Sequence, residues 1–270
     1  MIASLSGKGG TGKTSMAALI LDELAREEYS GRVLAVDGDP ATTLHLALGF
    51  PEPAATLAGM CDAVMLDART VHYLLPGDTS PADYVRGKLE EAGVIAGRRL
   101  RRMPLDFLAM GQGEGPGCYC DVNRALAAAL GLVEECYTLI VIDNEAGLEH
   151  LGRRRLNRVD FFLAVTTPSP TAWAVVRRIL DTARQAEIAL GETGVIVNRT
   201  SGRAHTPQEG LTVLVPHSSE LSVLDLCGRP VVELPDGAPA RLALRPIVER
   251  LLAPAAQAQV CRTRPSPPVE

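Results

Sequence analysis

Gly7-Lys8-Gly9-Gly10-Thr11-Gly12-Lys13-Thr14 is the stretch that decides the fold. Gly7 through Thr14 fit G-x-x-x-x-G-K-[ST], in which glycines let successive backbone N–H groups curl around phosphate oxygens. The apolar run Ile2–Ser6 precedes it. Lys13–Glu27 follows with helical spacing, placing Met16, Leu19, Ile20, Leu21 and Leu24 on one face. Strand, glycine loop and helix N-terminus together make an anion cradle, because the helix dipole faces the same phosphate. The motif assigns Lys13 to the β- and γ-phosphates of ATP, and the Thr14 hydroxyl to Mg²⁺.

Outward from that loop, short apolar runs alternate with longer helical stretches. Arg32–Asp37, Thr138–Asp143, Phe161–Thr166, Gly194–Asn198 and Leu211–Val215 read as strands, and Asp106–Met110 as a weaker one. Helices are expected over roughly Ala82–Ala92, Asp121–Glu135 with Asp121 as N-cap, Pro170–Leu190 and Ala240–Leu252. Continuous apolar strands separated by helices predict an α/β fold. We expect a doubly wound, mainly parallel sheet of about seven to eight strands with helices on both faces. We expect one such domain over residues 1–253, then a disordered Pro-, Ala- and Gln-rich tail over 254–270.

Composition narrows the function classes. The 270 residues are 46% hydrophobic and 22% charged with net charge -5, a globular balance that disfavours non-specific nucleic-acid binding. No apolar run is long enough to span a membrane, and the glycine loop leaves no room for a signal peptide, so a cytoplasmic location is expected. Six cysteines are too few for a disulfide scaffold. The exception to their scatter is Cys118-Tyr119-Cys120, at the end of a Gly-rich loop. Two thiolates so close can chelate a soft metal, and the same pair from a second copy would complete a four-thiolate site for Ni²⁺ or Zn²⁺. A strained disulfide or two inert cysteines are the alternatives. His45, His72, His205 and His217 have no companions at ligand spacing, the Arg clusters at 98–102 and 153–155 read as solvated surface, and Trp173 as a helix-to-sheet packing residue.

The second lysine, Lys8, gives the loop the form K-G-G-x-G-K-T. This resembles the deviant Walker A motif of the MinD/ParA/nitrogenase-iron-protein class of ATPases. The resemblance implies a homodimer in which Lys8 reaches the partner's nucleotide. It places ATP against residues Gly7, Lys8, Gly9, Gly10, Thr11, Gly12, Lys13, Thr14 and Ser15. In Asp37-Gly38-Asp39-Pro40, it implies that Asp39 orients the attacking water and Asp37 supports the Mg²⁺ shell beside Thr14. Asp143, ending its strand, would hold Mg²⁺ through water. Asn198, Arg199 and Pro216 are implied around the adenine.

Cys-Tyr-Cys, a helix, then Ala146-Gly147-Leu148-Glu149-His150-Leu151 resembles more narrowly the CooC-type ATPases that insert nickel into carbon monoxide dehydrogenase. That resemblance runs over roughly residues 1–250 and departs at Glu145, where the family usually carries Gly or Pro. It implies an ATP-hydrolysing nickel metallochaperone whose client is apo carbon monoxide dehydrogenase or a related nickel enzyme. Glu149 and His150 either couple nucleotide to metal or begin the next helix. The alternatives are a positioning or partitioning ATPase of the MinD/ParA kind, disfavoured by acidic charge and a tail with no amphipathic helix, and an ATP-dependent iron–sulfur reductase using Cys136 with Cys118 or Cys120.

Overall fold

The computed structural model describes residues 1–60, 80–112, 119–145, 158–201 and 210–262. Its centre is an eight-stranded sheet. The strands are β1 (Ile2–Ser6), β2 (Val33–Gly38), β3 (Ile95–Leu100), β4 (Met103–Ala109), β5 (Leu139–Asn144), β6 (Arg158–Thr166), β7 (Ala189–Thr200) and β8 (Leu211–Pro216). Their spatial order is β3-β4-β2-β5-β1-β6-β7-β8. All neighbouring pairs are parallel except β3 with β4. The fold class expected from sequence is the one observed.

The sheet is covered on both faces, and the strands show it by alternation. On one face Ala3, Leu5, Val33, Ala35, Leu139 and Val141 pack against α1 (Lys13–Arg26), α2 (Leu44–Leu48) and the C-terminal helices. On the other, Ile2, Leu34, Val36, Ile140 and Ile142 pack against α3 (Pro81–Glu91), α4 (Tyr119–Val133) and α5 (Pro170–Gln185). Both residue sets are buried, so neither strand face needs polar residues, which is why these strands read as unbroken apolar runs. Trp173 is buried in the second layer, packing α5 as its sequence context suggests.

Several boundaries differ from the sequence expectation. The antiparallel edge strand β3 was hidden because Ile95-Ala-Gly-Arg-Arg-Leu is buried only at its ends and in part between them. Arg98 and Arg99 therefore stand on an edge strand, where charge discourages pairing with another chain. Asp121 is not an N-cap, since α4 already begins at Tyr119. The helix expected over Pro170–Leu190 stops at Gln185, and Ala189 opens β7. The expected Ala240–Leu252 helix is two, α7 (Pro239–Leu242) and α8 (Arg245–Arg262), with α6 (Ser219–Leu226) before them. Pro246 stands in the first turn of α8, a position that tolerates a missing N–H. The backbone of α8 continues helically past Pro254, across the boundary placed at 253/254. Ala255 through Gln259 are good helix formers, which composition alone hides.

Candidate nucleotide site

The site is built at the carboxyl ends of the central strands, where open α/β sheets bind ligands. β1 lies between β5 and β6, so the loop it feeds emerges at the middle of the sheet. Gly7 is required there: a Cβ would fall 2.0 Å from the Val165 carbonyl oxygen. Gly12 has φ +90°, and a Cβ on it would meet Asn198 Nδ2 at 2.5 Å. Between them, Thr11 Oγ1 donates to the Lys8 carbonyl at 2.8 Å, closing the loop on itself. Lys8 is exposed, as a lysine must be to leave its own loop.

Lys13 is the first residue of α1 and is buried, with Nζ 3.5 Å from the Lys8 carbonyl. Burial pulls its pKa below the ordinary lysine value, against the charges of Asp143, Asp39 and Glu145, which pull it up. A lysine held this way keeps strong donors without a full ion-pair partner.

The acids come from register. Asp143 is paired laterally with Leu5 on β1 and with Asp37 on β2, so two carboxylates sit side by side at one edge. Asp143 is buried; Oδ2 accepts from Thr14 Oγ1 at 2.6 Å, and Oδ1 has no hydrogen-bond partner among the described residues. Burial raises its pKa to about 7, with Asp37 adding repulsion and Thr14 and Lys13 opposing. An orphaned buried carboxylate oxygen beside a hydroxyl fits a hard cation, which prefers oxygen ligands. Thr14 and Asp143 are thus the residues that would hold Mg²⁺.

Asp37 is placed differently from the expectation of a simple metal-shell acid. Its Oδ2 accepts from the Leu44 N–H at 2.8 Å and its Oδ1 from the Asp39 N–H at 3.2 Å. Burial lifts its pKa to about 6 despite these bonds. It is the hub on which the segment 39–44 folds. Asp39, by contrast, is half-buried, and its Oδ1 caps the turn by accepting from the Ala41 N–H at 2.9 Å.

The far end of the site lies between β7, β8 and α6. Asn198 and Arg199 sit in a register irregularity of β7 between Val197 and Thr200, and Arg199 has φ +58°. Such bulges re-aim side chains. A cleft of about 130 Å³ opens there, with Ser15, Asn198, Arg199, His217, Ser218 and Asp225 among its walls. Pro216 ends β8 just before it but does not line it. Sequence reading missed His217, Ser218, Ser222 and Asp225. The available signal was Ser218, which follows a strand end and caps α6 by accepting from the Leu221 N–H at 3.1 Å.

The thiol pair lies outside this geometry. Cys118, Ala146 through Leu151 and Arg153 to Arg155 lie outside the described residues, and Cys120 is placed only by its backbone, in the first turn of α4. Among the described residues there is no group of three or more His, Cys, Asp or Glu able to hold a metal. Arg101 is not merely solvated surface: it donates to Asp22 at 2.6 and 3.2 Å.

Comparison with known proteins places the chain among ATP-binding proteins. The chain is 30% identical over 260 residues to an uncharacterized ATP-binding protein of Methanocaldococcus jannaschii, covering 93% of this chain and 98% of that one. It is 28% identical over 212 residues to the carbon monoxide dehydrogenase accessory protein CooC of Rhodospirillum rubrum, covering 72% and 71%. In fold it is similar to the septum site-determining protein MinD of Pyrococcus horikoshii, solved with Mg-ADP (TM-score 0.67, 23% identity, 94% and 96% covered). A ParA family ATPase of Chlorobium tepidum is similar at TM-score 0.65 and 18% identity, with 93% and 98% covered. Residues 2–225 match the CobQ/CobB/MinD/ParA nucleotide-binding domain, and the chain belongs to that family.

Proposed function

We propose that this protein is an ATP-hydrolysing nickel metallochaperone that works as a homodimer and delivers nickel to carbon monoxide dehydrogenase or a related nickel enzyme. The observation that carries it is a shared edge. β4 ends at Ala109 on the carboxyl side of the sheet, and α4, which returns the chain toward β5, begins at Tyr119-Cys120. The helix that carries Cys120 in its first turn therefore begins at the sheet edge that bears the glycine loop. Similarity to the CooC protein supports the same reading.

Lys13 and the loop N–H groups hold the phosphates, and Mg²⁺ bound by Thr14 and Asp143 supplies charge neutralisation. Asp39, held by its turn, orients the attacking water. Lys8 adds positive charge to the partner's phosphates in the closed dimer. The γ-phosphate holds the switch segments, which relax once it is gone, and the thiolates then release their nickel cargo.

The iron–sulfur alternative fits less well. Cys136 lies beyond the far end of α4, which at 1.5 Å per residue puts it roughly 20 Å from Cys120. Its Sγ is 3.7 Å from Asp83 Oδ1, and burial pushes its thiol up to about 11. The positioning alternative rests on neighbours that share the fold. The helical segment Pro254–Arg262 carries Val260 as its one bulky apolar residue, a weak membrane face.

The test is equilibrium nickel titration with ultracentrifugation, with and without a non-hydrolysable ATP analogue. ATP and nickel should each drive dimerisation, and Cys118→Ser with Cys120→Ser should abolish nickel binding while sparing nucleotide binding. Stoichiometric nickel on the double variant sinks the proposal. Lys8→Ala should reduce hydrolysis far more than ATP binding; equal losses would remove its role across the dimer.

A further inference from the structure

We infer that Asn144 is a positioning residue for the cation site: its side chain pins the end of β5 to the end of β1 and so fixes Asp143 opposite Thr14. This rests on the nucleotide-site reading above. Side chains alternate along a strand. Asp143 meets Thr14 of α1 at 2.6 Å, so Asn144 stands on the other face of β5, the face of Ile140 and Ile142. There it is fully buried. Its Nδ2 donates to Ser4 Oγ and to the Leu5 carbonyl, each at 2.7 Å. A carbonyl oxygen only accepts, so the Leu5 contact fixes which end of the amide is nitrogen. Leu5 is the register partner of Asp143, and the phosphate loop opens just beyond it at Gly7. On its other side Asn144 pairs with Gly38 of β2, where a Cβ would fall 3.1 Å from the Asp143 carbonyl oxygen. The amide's grip on β1 and the close approach of β2 thus hold the Asp143 backbone from both sides. Packing alone does not call for an amide: an aliphatic residue would continue the layer of Ile140 and Ile142 without the cost of burying a polar group. What the amide adds is a fixed spacing. Thr14 and Asp143 come from different elements, and they can share one small cation only while strand and helix keep their separation. Mg²⁺ tolerates little departure from octahedral geometry, whereas Ca²⁺ accepts longer and more varied bonds. Loss of the pin should therefore appear as lost preference for Mg²⁺.

Calorimetry of ADP binding in Mg²⁺, in Ca²⁺ and in EDTA separates positioning from general support, on wild type, Asn144→Ala, Ser4→Ala and the double variant. Asn144→Ala should weaken binding in Mg²⁺ about tenfold, in Ca²⁺ less than about threefold, and in EDTA less than about twofold. Ser4→Ala keeps the Leu5 bond, so its loss in Mg²⁺ should be about threefold. Added to Asn144→Ala it should cost nothing more, because its effect runs through the amide. The inference is overturned if Asn144→Ala weakens all three conditions by one factor, as a merely structural residue would, or leaves binding in Mg²⁺ unchanged. Additive losses in the double variant overturn it as well. Should Asn144→Ala fail to fold, Ser4→Ala decides by the same preference between cations: an equal loss in Mg²⁺ and Ca²⁺, or none in Mg²⁺, overturns it. Wild-type protein that binds ADP equally in all three conditions would instead refute the Thr14–Asp143 cation site itself, and one that binds no ADP the nucleotide site.

Discussion

The two ends of α1 bury charge in opposite ways. At its start Lys13 is buried, and Asp143, from β5 beside it, has one oxygen bonded to Thr14 and the other without a partner. In its second half Asp22 and Glu23 are also buried, but there arginines pair with the carboxylates, and the atom left without a partner among the described residues is Arg241 Nε rather than a carboxylate oxygen. Arg241 Nη1 donates to Asp22 at 2.7 Å and to Glu23 at 2.6 Å, while Nη2 donates to the carbonyls of Leu234 at 2.9 Å and Val232 at 3.1 Å. Arg26 and Arg101 add further bonds to Asp22. The pKa directions follow: burial wins at Asp143, raising it to about 7, whereas the arginines overcome burial at Asp22 and hold it below its usual value. Buried charge alone does not mark a site. Charge left under-neutralised by the protein does, because a ligand must finish the job.

The comparison breaks most sharply at Arg241. It is 1% exposed, and Arg241→Ala strands two buried carboxylates, so unfolding free energy should fall by about 3–5 kcal/mol. Chemical denaturation reads this directly. A loss under 1 kcal/mol would mean the network is ornamental and the contrast between the two ends false. Lys13→Ala is the mirror experiment. Removing an uncompensated buried cation should leave stability nearly unchanged while weakening Mg-ATP binding by about a hundredfold. Comparable stability losses in the two variants would erase the distinction.

Acidity separates the ends with opposite signs. Asp143 and Asp37 have folded pKa values raised to about 7 and about 6, so the native state holds protons that the unfolded chain has released. Their contribution is fully present below about pH 4 and is lost as pH rises toward 7. Asp22 is lowered, so its contribution is present above about pH 4 and lost as pH falls through its folded value. The ligand-free protein should therefore gain stability on acidification from pH 7.5 to 5 and lose it below about 4. Asp143→Asn should flatten the first limb and leave the second. Thermal melts across pH would expose the error if the wild type lost stability steadily from neutrality downward.

The same contrast explains what could be read in the chain. The phosphate loop, its strand and Asp143 were legible because motif, apolar run and strand end are local in sequence. The Arg241–Asp22 bond spans 219 residues and the Asn198–Thr11 bond 187, and no local pattern announces either. Arg241 falls within the helix expected over Ala240–Leu252, where nothing in the sequence marks it as buried. Strand β3 was invisible because an edge strand flanked by arginines lacks the apolar run that betrays its central neighbours. Arg101 was read as part of a solvated cluster, yet the left-handed turn at φ +53° between β3 and β4 carries its guanidinium to Asp22.

Glu145 offers the finest division of the loop end. It follows the last residue of β5 and is exposed, yet its charge bears on Lys13, after those of Asp143 and Asp39. An acid there raises the negative potential that incoming phosphates must overcome. Because solvent screens an exposed carboxylate, the effect is small: Glu145→Gln should tighten ATP binding about two- to threefold at low salt. The gain should shrink as ionic strength rises and should be smaller for ADP, which lacks the outermost phosphate. Stability should not move, since nothing buried is left unpaired. A gain that persists at high salt would mean Glu145 acts through the backbone of its turn; a loss of affinity would mean its carboxylate helps bind Mg²⁺ and belongs with Asp143 rather than against it.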